Sequence, residues 1–276
     1  MATRERIIIN EKYRELREAV ADVTRHDFPE GSVIIYKERR NELRFFEAGG
    51  MYVNAKQFKI PPFPNNYVYR SFRKSKARRS YENAAELLRL GFLTPEPIAY
   101  SEIHHGIGVN DGPGLWPRMS RSYYFTPQLP YSNARDWESR PDVDRFIPAL
   151  GAEIARLHEK GVWFHDFSPG NILISETKEG GYEFYYVDVN RTDFGVHDPR
   201  KLMQMFKSIS WSDEWIERLA RAYAVAAGKD PDITAREAVD EAHRFRDSRK
   251  RKNLWKDLFG IRKRQEEARR RIHANL

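Results

Sequence analysis

Phe164-His165-Asp166-Phe167-Ser168-Pro169-Gly170-Asn171-Ile172-Leu173-Ile174 is the stretch on which the reading of this chain turns. An acid, Asp166, is followed five residues on by an amide, Asn171, which runs directly into an apolar segment. A second acid, Asp188, closes another apolar run, Tyr185-Tyr186-Val187. Two carboxylates and an amide oxygen are hard oxygen donors of the kind that hold a divalent cation against phosphates. Ser-Pro-Gly between an Asp and an Asn is also ordinary turn chemistry, so the spacing by itself is a weak signal. The flanking sequence strengthens it. Ahead of the loop, Ile147, Leu150, Ile154 and Leu157 recur at helical spacing, and Gly161 after His158-Glu159-Lys160 marks a helix stop. Behind it, 171–174 and 182–187 predict a β-hairpin turned near Gly180-Gly181, with Asp188 at its exit.

Helix, loop, hairpin and acid, in that order, is how protein kinases present Asp-x-x-x-x-Asn and a later metal-binding Asp. On that pattern Asp166 is expected to take the proton of an acceptor hydroxyl, and Asn171 and Asp188 to hold Mg²⁺ under the phosphates of ATP. The sequence upstream fits a small β-rich lobe. Residues 11–23, with Tyr13, Leu16, Val20 and Val23 in register, predict an amphipathic helix. Strands are expected at 32–36, 43–47 and 51–60, the last two joined at Gly49-Gly50. The third of these should carry a lysine toward the phosphates. Lys56, in Val53-Asn54-Ala55-Lys56, is favoured over Lys59; alternation puts the two on opposite faces and leaves the choice open.

After a Pro-rich insertion at 61–66 and a short strand at 67–72, Ser75 is a candidate N-cap for a helix with Tyr81, Ala84, Ala85 and Leu88 on its buried stripe, ending at Gly91. Glu82, ahead of Glu86, is the expected partner of the strand lysine; the competing reading pairs both glutamates with Arg78, Arg79 or Arg89 at helical spacing. Six basic residues from Arg70 to Arg79, with no acid among them, oppose the helix dipole and point to an anion nearby. Strands at 98–101 and 122–125 and a hinge at 126–133 complete the small lobe. His104-His105, in a Gly/Asp-rich connection running to 114, lacks a third metal ligand. Residues 190–195 read as loop, and 199–209, 212–227 and 234–249 as helices of a larger lobe. No glycine-rich phosphate loop stands between the first two strands, where Lys37-Glu-Arg-Arg-Asn-Glu-Leu43 runs instead.

The expected architecture is therefore α+β and bilobal, protein-kinase-like, with a nucleotide-binding lobe over 1–126 and a helical catalytic lobe over 127–276. The totals permit it: 276 residues, 40% apolar and 13% aromatic, can bury a core in each lobe. No cysteine is present, which excludes disulfides and thiolate metal sites. Neither a secretory signal nor an 18-residue apolar run is expected, so the reading is a cytoplasmic protein. The net charge of +8 is concentrated: from His243 to Leu276 there are 13 Lys/Arg against 4 Asp/Glu, leaving the rest near neutral. A basic tail interspersed with Leu254, Trp255, Leu258, Phe259 and Ile261 suits an anionic membrane surface, or equally a large-lobe helix that buries those apolar residues. Nucleic acid is a poor match, since basic charge alone points to it.

Val-Asn-Ala-Lys (53–56), the Arg73-Lys-Ser-Lys-Ala-Arg-Arg-Ser-Tyr-Glu-Asn-Ala84 helix, Leu-Thr-Pro-Glu-Pro-Ile (93–98) and His165-Asp-Phe-Ser-Pro-Gly-Asn-Ile-Leu173 together resemble the lipopolysaccharide kinase family. The resemblance, over about residues 30 to 210, implies ATP-dependent phosphorylation of Kdo or heptose in the inner core of Gram-negative lipopolysaccharide. It implies Asp166 as base, Asn171 and Asp188 as Mg²⁺ ligands, Lys56 on the ATP phosphates and Glu82 fixing Lys56. The chain departs from that pattern where Phe164 stands two residues before Asp166 in the place of a His, and where Val189-Asn190 follows Asp188 in place of Phe-Gly. The alternatives are a kinase for a protein or a soluble small molecule, and a pseudokinase.

Overall fold

The computed structural model describes residues 3–37, 41–59, 74–105 and 118–258. The expected insertion at 61–66, the strand at 67–72, the connection at 106–114 and the tail beyond 258 lie outside the described residues. Two compact units are present: residues up to Arg89 with Pro95–Leu129, and Leu90–Thr94 with residues from Pro130.

The first unit is a six-stranded antiparallel sheet with a helix on each face. Its elements are β1 (Thr3–Ile9), a 3-10 turn (Glu11–Leu16), α1 (Arg17–His26), β2 (Val33–Lys37), β3 (Asn41–Ala48), β4 (Met51–Lys59), α2 (Lys76–Arg89), β5 (Ala99–His105) and β6 (Arg118–Pro127). The strand order is β1-β5-β6-β4-β3-β2. Alternation along the central strands sorts the side chains. Val53, Ala55, Ala99, Ile103, Tyr123 and Phe125 form one core with Leu16, Val20 and Val23 from the 3-10 turn and α1. Phe58 and Tyr100 turn the other way and pack with Ala77 of α2, flanked by Tyr81 and Tyr124.

Two expectations change here. The stripe that α2 buries is Ala77, Ser80, Ala84 and Leu87; Ala85 is exposed and Leu88 only half-buried. The helix turns its smallest residues to the sheet, because a close approach buries more area than a row of larger side chains held further off. β1 was not expected at all. It pairs antiparallel with β5 along its whole length, Thr3 opposite His105 through Ile9 opposite Ala99.

The second unit holds β7 (Ser132–Asn133), α3 (Val143–Glu159), β8 (Trp163–Phe164), β9 (Ile172–Glu176), β10 (Tyr182–Tyr186), β11 (Thr192–Asp193), α4 (Pro199–Met203), α5 (Asp213–Ala226) and α6 (Pro231–Leu258). Ile147, Leu150, Ile154 and Leu157 of α3 are all buried, as their spacing requires. α3 and α5 touch at Gly151, where an added Cβ would sit 2.7 Å from the Tyr223 backbone nitrogen; any side chain there would push the helices apart. The hairpin pairs Tyr182 with Glu176 through Tyr186 with Ile172. Its outer strand is held by the short segment after α2: Tyr186 N–H donates to Leu93 O (2.9 Å), and the Thr94 hydroxyl to Tyr186 O (2.6 Å). α6 is longer than expected and changes character along its length. Ala235, Ala238 and Ala242 are buried, whereas Leu254 and Trp255 are 62% and 64% exposed, so the reading that buries those two does not hold.

Candidate active site

The loop between β8 and β9 is shaped before any ligand is considered. β8 and β11 form a two-residue antiparallel ladder, Trp163 opposite Asp193 and Phe164 opposite Thr192, and His165 N–H extends it by donating to Arg191 O (3.1 Å). Phe164 is buried against Tyr186 (ring centroids 4.9 Å) and Phe167 (5.7 Å). That aromatic stack accounts for the departure at position 164: an apolar ring fills the floor under the loop where a histidine was the pattern.

Asn171 is the crossing point of the site. Its backbone N–H donates to Ser168 O (2.9 Å), closing the turn through Pro169 and Gly170. Its side-chain Nδ2 donates to Asp166 O (3.2 Å), and its own carbonyl accepts from Val187 N–H (2.9 Å), the residue before Asp188. One residue thus ties the loop carrying the first acid to the strand exit carrying the second. Asp188 has φ 58° and ψ 37°, a left-handed conformation uncommon for a residue with a Cβ and concentrated at functional sites. Asn190 Nδ2 donates to its Oδ1 (2.7 Å). Asp166 and Asp188 are both exposed, and among the described residues none bonds the Asp166 carboxylate.

These groups fit a magnesium ion. The Asn171 amide spends an N–H on the Asp166 backbone carbonyl, which leaves its oxygen as a donor, and Asp188 offers an exposed carboxylate. Two protein oxygens, with phosphates and water completing the shell, is the set Mg²⁺ prefers to a closed protein cage. No group of three or more His, Asp or Glu side chains forms such a cage among the described residues.

The first unit carries the other two predicted residues. Lys56 lies on β4 between Leu43 of β3 and Tyr124 of β6, on the face where α2 packs, with its Nζ 5.3 Å from the Phe58 ring. The side chain of Lys59 lies outside the described residues. Glu82 is not the partner expected for Lys56. Its carboxylate accepts from Lys74 Nζ (2.8 Å) and Arg78 Nε (2.8 Å), and Glu86 bonds Arg89 (2.6 Å). The helical-spacing reading is the one observed, because a glutamate on α2 reaches a cation one turn away at lower entropic cost than one on the sheet. The basic run at the start of α2 is thereby partly neutralised. Ser75 caps the helix as expected, accepting from Arg78 N–H (3.0 Å). The carboxyl of Glu102, also buried there, would be raised by burial but is carried below its ordinary value by His104 and Ser75.

Sequence reasoning missed the cations around the Asp166 loop. Lys201 Nζ bonds Asp193 (3.0 Å) and lies 4.4 Å from the Trp163 ring; His165 Nε2 is 3.4 Å from the same Asp193. Lys207 Nζ is 5.5 Å from the Trp163 ring on a different element, the 3-10 turn Gln204–Ser208. Positions separated by some forty residues carry no local spacing that would have tied them to the loop.

No protein-family model matches the chain, and no curated protein sequence is significantly similar to it. Solved structures do match. WaaP in complex with acyl carrier protein superposes with a TM-score of 0.54 over 91% of this chain and 99% of the other, at 16% identity. The fold is protein-kinase-like. Looser overlaps are found with an aminoglycoside-3'-phosphotransferase of type VIII (TM-score 0.48, 12% identity, 82% and 98% covered) and with the Rio2 kinase of Chaetomium thermophilum in its ADP/Mg²⁺-phosphoaspartate complex (0.44, 17%, 86% and 76%). At 16% identity, what the chain shares with WaaP is the fold.

Proposed function

We propose that this chain is an ATP-dependent phosphotransferase whose acceptor is a sugar hydroxyl of the lipopolysaccharide inner core, Kdo or heptose. The observation that carries the reading is the double tie made by Asn171, to the Asp166 carbonyl and to Val187, which joins the loop bearing Asp166 to the strand end that precedes Asp188. The similarity in fold to WaaP, together with the motifs that resemble the lipopolysaccharide kinase family, supports the choice of acceptor.

Asp166 orients the acceptor hydroxyl and takes its proton as the oxygen attacks the γ-phosphorus, whose bond to the β–γ bridging oxygen breaks to release ADP; an exposed carboxylate with no competing partner suits that role. Asn171 and Asp188 would hold Mg²⁺, which when bound supplies positive charge against the phosphate oxygens. The left-handed backbone at Asp188 fixes the direction of its carboxylate, so the metal-binding oxygens are oriented before the nucleotide arrives. Lys56 positions the α- and β-phosphates. In this reading residues 1–126 are the nucleotide lobe and 127–276 the catalytic lobe.

The far half of α6 supports a peripheral contact with the cytoplasmic face of an anionic membrane: exposed Leu254 and Trp255 stand beside Arg249, Lys250, Arg251 and Lys252. Among the described residues no helix is long and apolar enough to cross a membrane. Flotation with phosphatidylglycerol vesicles tests the contact: Leu254→Ser with Trp255→Ser should lose binding, and equal binding ends that part of the reading.

Mass spectrometry after incubation with ATP, Mg²⁺ and lipid-linked core sugars tests the activity. A mass gain of one phosphoryl group that is absent with Asp166→Ala is expected. Transfer retained by that variant would overturn the assignment of the base.

A further inference from the structure

The environment of Lys207 differs from that of Lys201, which also lies against the Trp163 ring. Lys201 has a carboxylate, Asp193, at 3.0 Å, and Asp193 also serves His165. The carboxylate of Glu241, on the neighbouring α6, is taken by Arg244. Lys207 has neither an ion pair nor a hydrogen bond among the described residues. Its half-buried ammonium rests between two rings, 5.5 Å from Trp163 and 5.8 Å from Phe245. Rings stabilise a cation weakly and leave its hydrogen-bond donors unspent.

A second donor in the same place is also unspent. Trp163 is only 4% exposed, and its indole Nε1 has no hydrogen-bond partner. Buried indole N–H groups are normally paired. Trp163, on β8, stands three residues before Asp166, with the His165 ring edge-on at 4.3 Å. The local field is positive. Burial lowers the Lys207 pKa, Arg191 lowers it further, and only Asp166 and Glu241 oppose them. Burial, Arg191 and Lys207 in the same way hold His165 below its ordinary value against the pull of Asp193.

We infer that Lys207, on the Trp163 shelf beside Asp166, is a specificity-determining residue that takes an anionic group of the acceptor, a carboxylate or a phosphate carried on the sugar near the hydroxyl to be phosphorylated. The inference rests on the phosphotransferase reading and deepens it. A sugar anion would supply the partner that Lys207 lacks and would hold the neighbouring hydroxyl against the Asp166 carboxylate. A neutral sugar would leave a half-buried cation unpaired. Lys201 cannot substitute, because Asp193 already neutralises it.

Calorimetric titration of the full chain, saturated with Mg²⁺ and a non-hydrolysable ATP analogue, tests this with two matched pairs. The first pair is Kdo and its methyl ester; the second is heptose 7-phosphate and heptose. The wild type should bind the charged member of at least one pair about 10–100-fold more tightly, and the pair that discriminates identifies carboxylate or phosphate. Lys207→Gln should abolish the difference, with nucleotide affinity and melting temperature measured in parallel to establish that the variant folds. Equal affinities within both pairs in the wild type, no sugar binding at all, or discrimination that survives in Lys207→Gln would each overturn the inference. Failure of the nucleotide analogue to bind is a separate result and would count against the phosphotransferase reading itself.

Discussion

The loop of the second unit and the strand–helix pair of the first were predicted from the same pattern, and they came out differently. Around Asn171 the segments that carry the predicted residues are tied through backbone groups: a turn closed on Ser168, a side chain on the Asp166 carbonyl, and a carbonyl on Val187. Around Lys56 the predicted ion pair does not form, and Glu82 goes to Lys74 and Arg78. A backbone carbonyl has few places to go once a turn and a hairpin are specified, so it fixes the residues attached to it. A glutamate on a helix surface chooses among several long, mobile cations, and the pattern of one motif does not decide which.

The largest test breaks the loop side of that comparison. Asp166→Asn removes the base but no described contact, so phosphotransfer should fall about 10³-fold while the melting temperature stays within about 1 °C of wild type. Activity reduced less than tenfold would mean that convergence of the loop is structural and that the base lies elsewhere.

Acid separates the two units next. His158, buried on α3 against Tyr223 Oη (3.0 Å) and Met205 Sδ (3.3 Å), is lowered by burial from 6.5 to about 3. Its folded pKa lies below its unfolded one, so the unfolded chain takes the proton first. The stability it contributes is complete above pH 6.5 and is lost as pH falls toward about 3, up to about 5 kcal/mol in all. In the first unit Glu102 is also lowered, from 4.5, so its contribution is lost only below that pH. Urea midpoints should decline from pH 6.5 downward in the wild type and more shallowly in His158→Gln. Parallel profiles would show that His158 does not set the acid sensitivity.

These elements show what was legible in the sequence and why the rest was not. α3 and the hairpin were readable because apolar periodicity and glycine stops are local. The left-handed glycines Gly91, Gly161 and Gly180 fall at or beside the predicted breaks. β1 was not readable, because Arg4, Glu5 and Arg6 hide its first half and only Ile7-Ile8-Ile9 carries strand character. Its partner, β5, lies some ninety residues away. The α2 stripe was misread because Ala77 and Ser80 carry little hydrophobic weight, although their small size is what admits the helix to the sheet. In the candidate site, Asp166, Asn171 and Asp188 were proposed from short-range spacing. The Trp163–Lys207 shelf depends on a tertiary contact that no spacing encodes.

A pair of variants sharpens the first unit's side. Lys56→Met should raise KM for ATP about 10–100-fold with kcat less affected, as expected for a lost contact to a charged phosphate. Glu82→Gln should change kcat/KM by less than about twofold, since it removes only a partly exposed pair with Lys74 and Arg78. Equal losses in the two would mean that Glu82 leaves its helical partners for Lys56 when nucleotide binds. The contrast between a fixed loop and an adaptable helix would then become one between two ligand states.

The smallest effect lies at the start of α2, where that helix has a fixed point of its own. Ser75 is 2% exposed; its oxygen accepts from Arg78 N–H at 3.0 Å, and its hydroxyl hydrogen-bonds the buried Glu102 carboxylate. Ser75→Ala removes the cap and withdraws a donor from Glu102, and should cost about 1–2 kcal/mol in urea unfolding. Ser75→Asp separates the two roles. Aspartate is at least as good a cap, yet it brings a second carboxylate against Glu102 with no proton to donate at neutral pH. If capping alone matters, the aspartate variant matches wild type. If the bond to Glu102 matters, it is the less stable of the two variants at pH 7 and recovers relative to Ser75→Ala as the pH is lowered and one carboxyl takes up a proton. Because this position owes its geometry to a backbone N–H, as Asn171 does, it should respond to substitution as the loop does and not as Glu82 does.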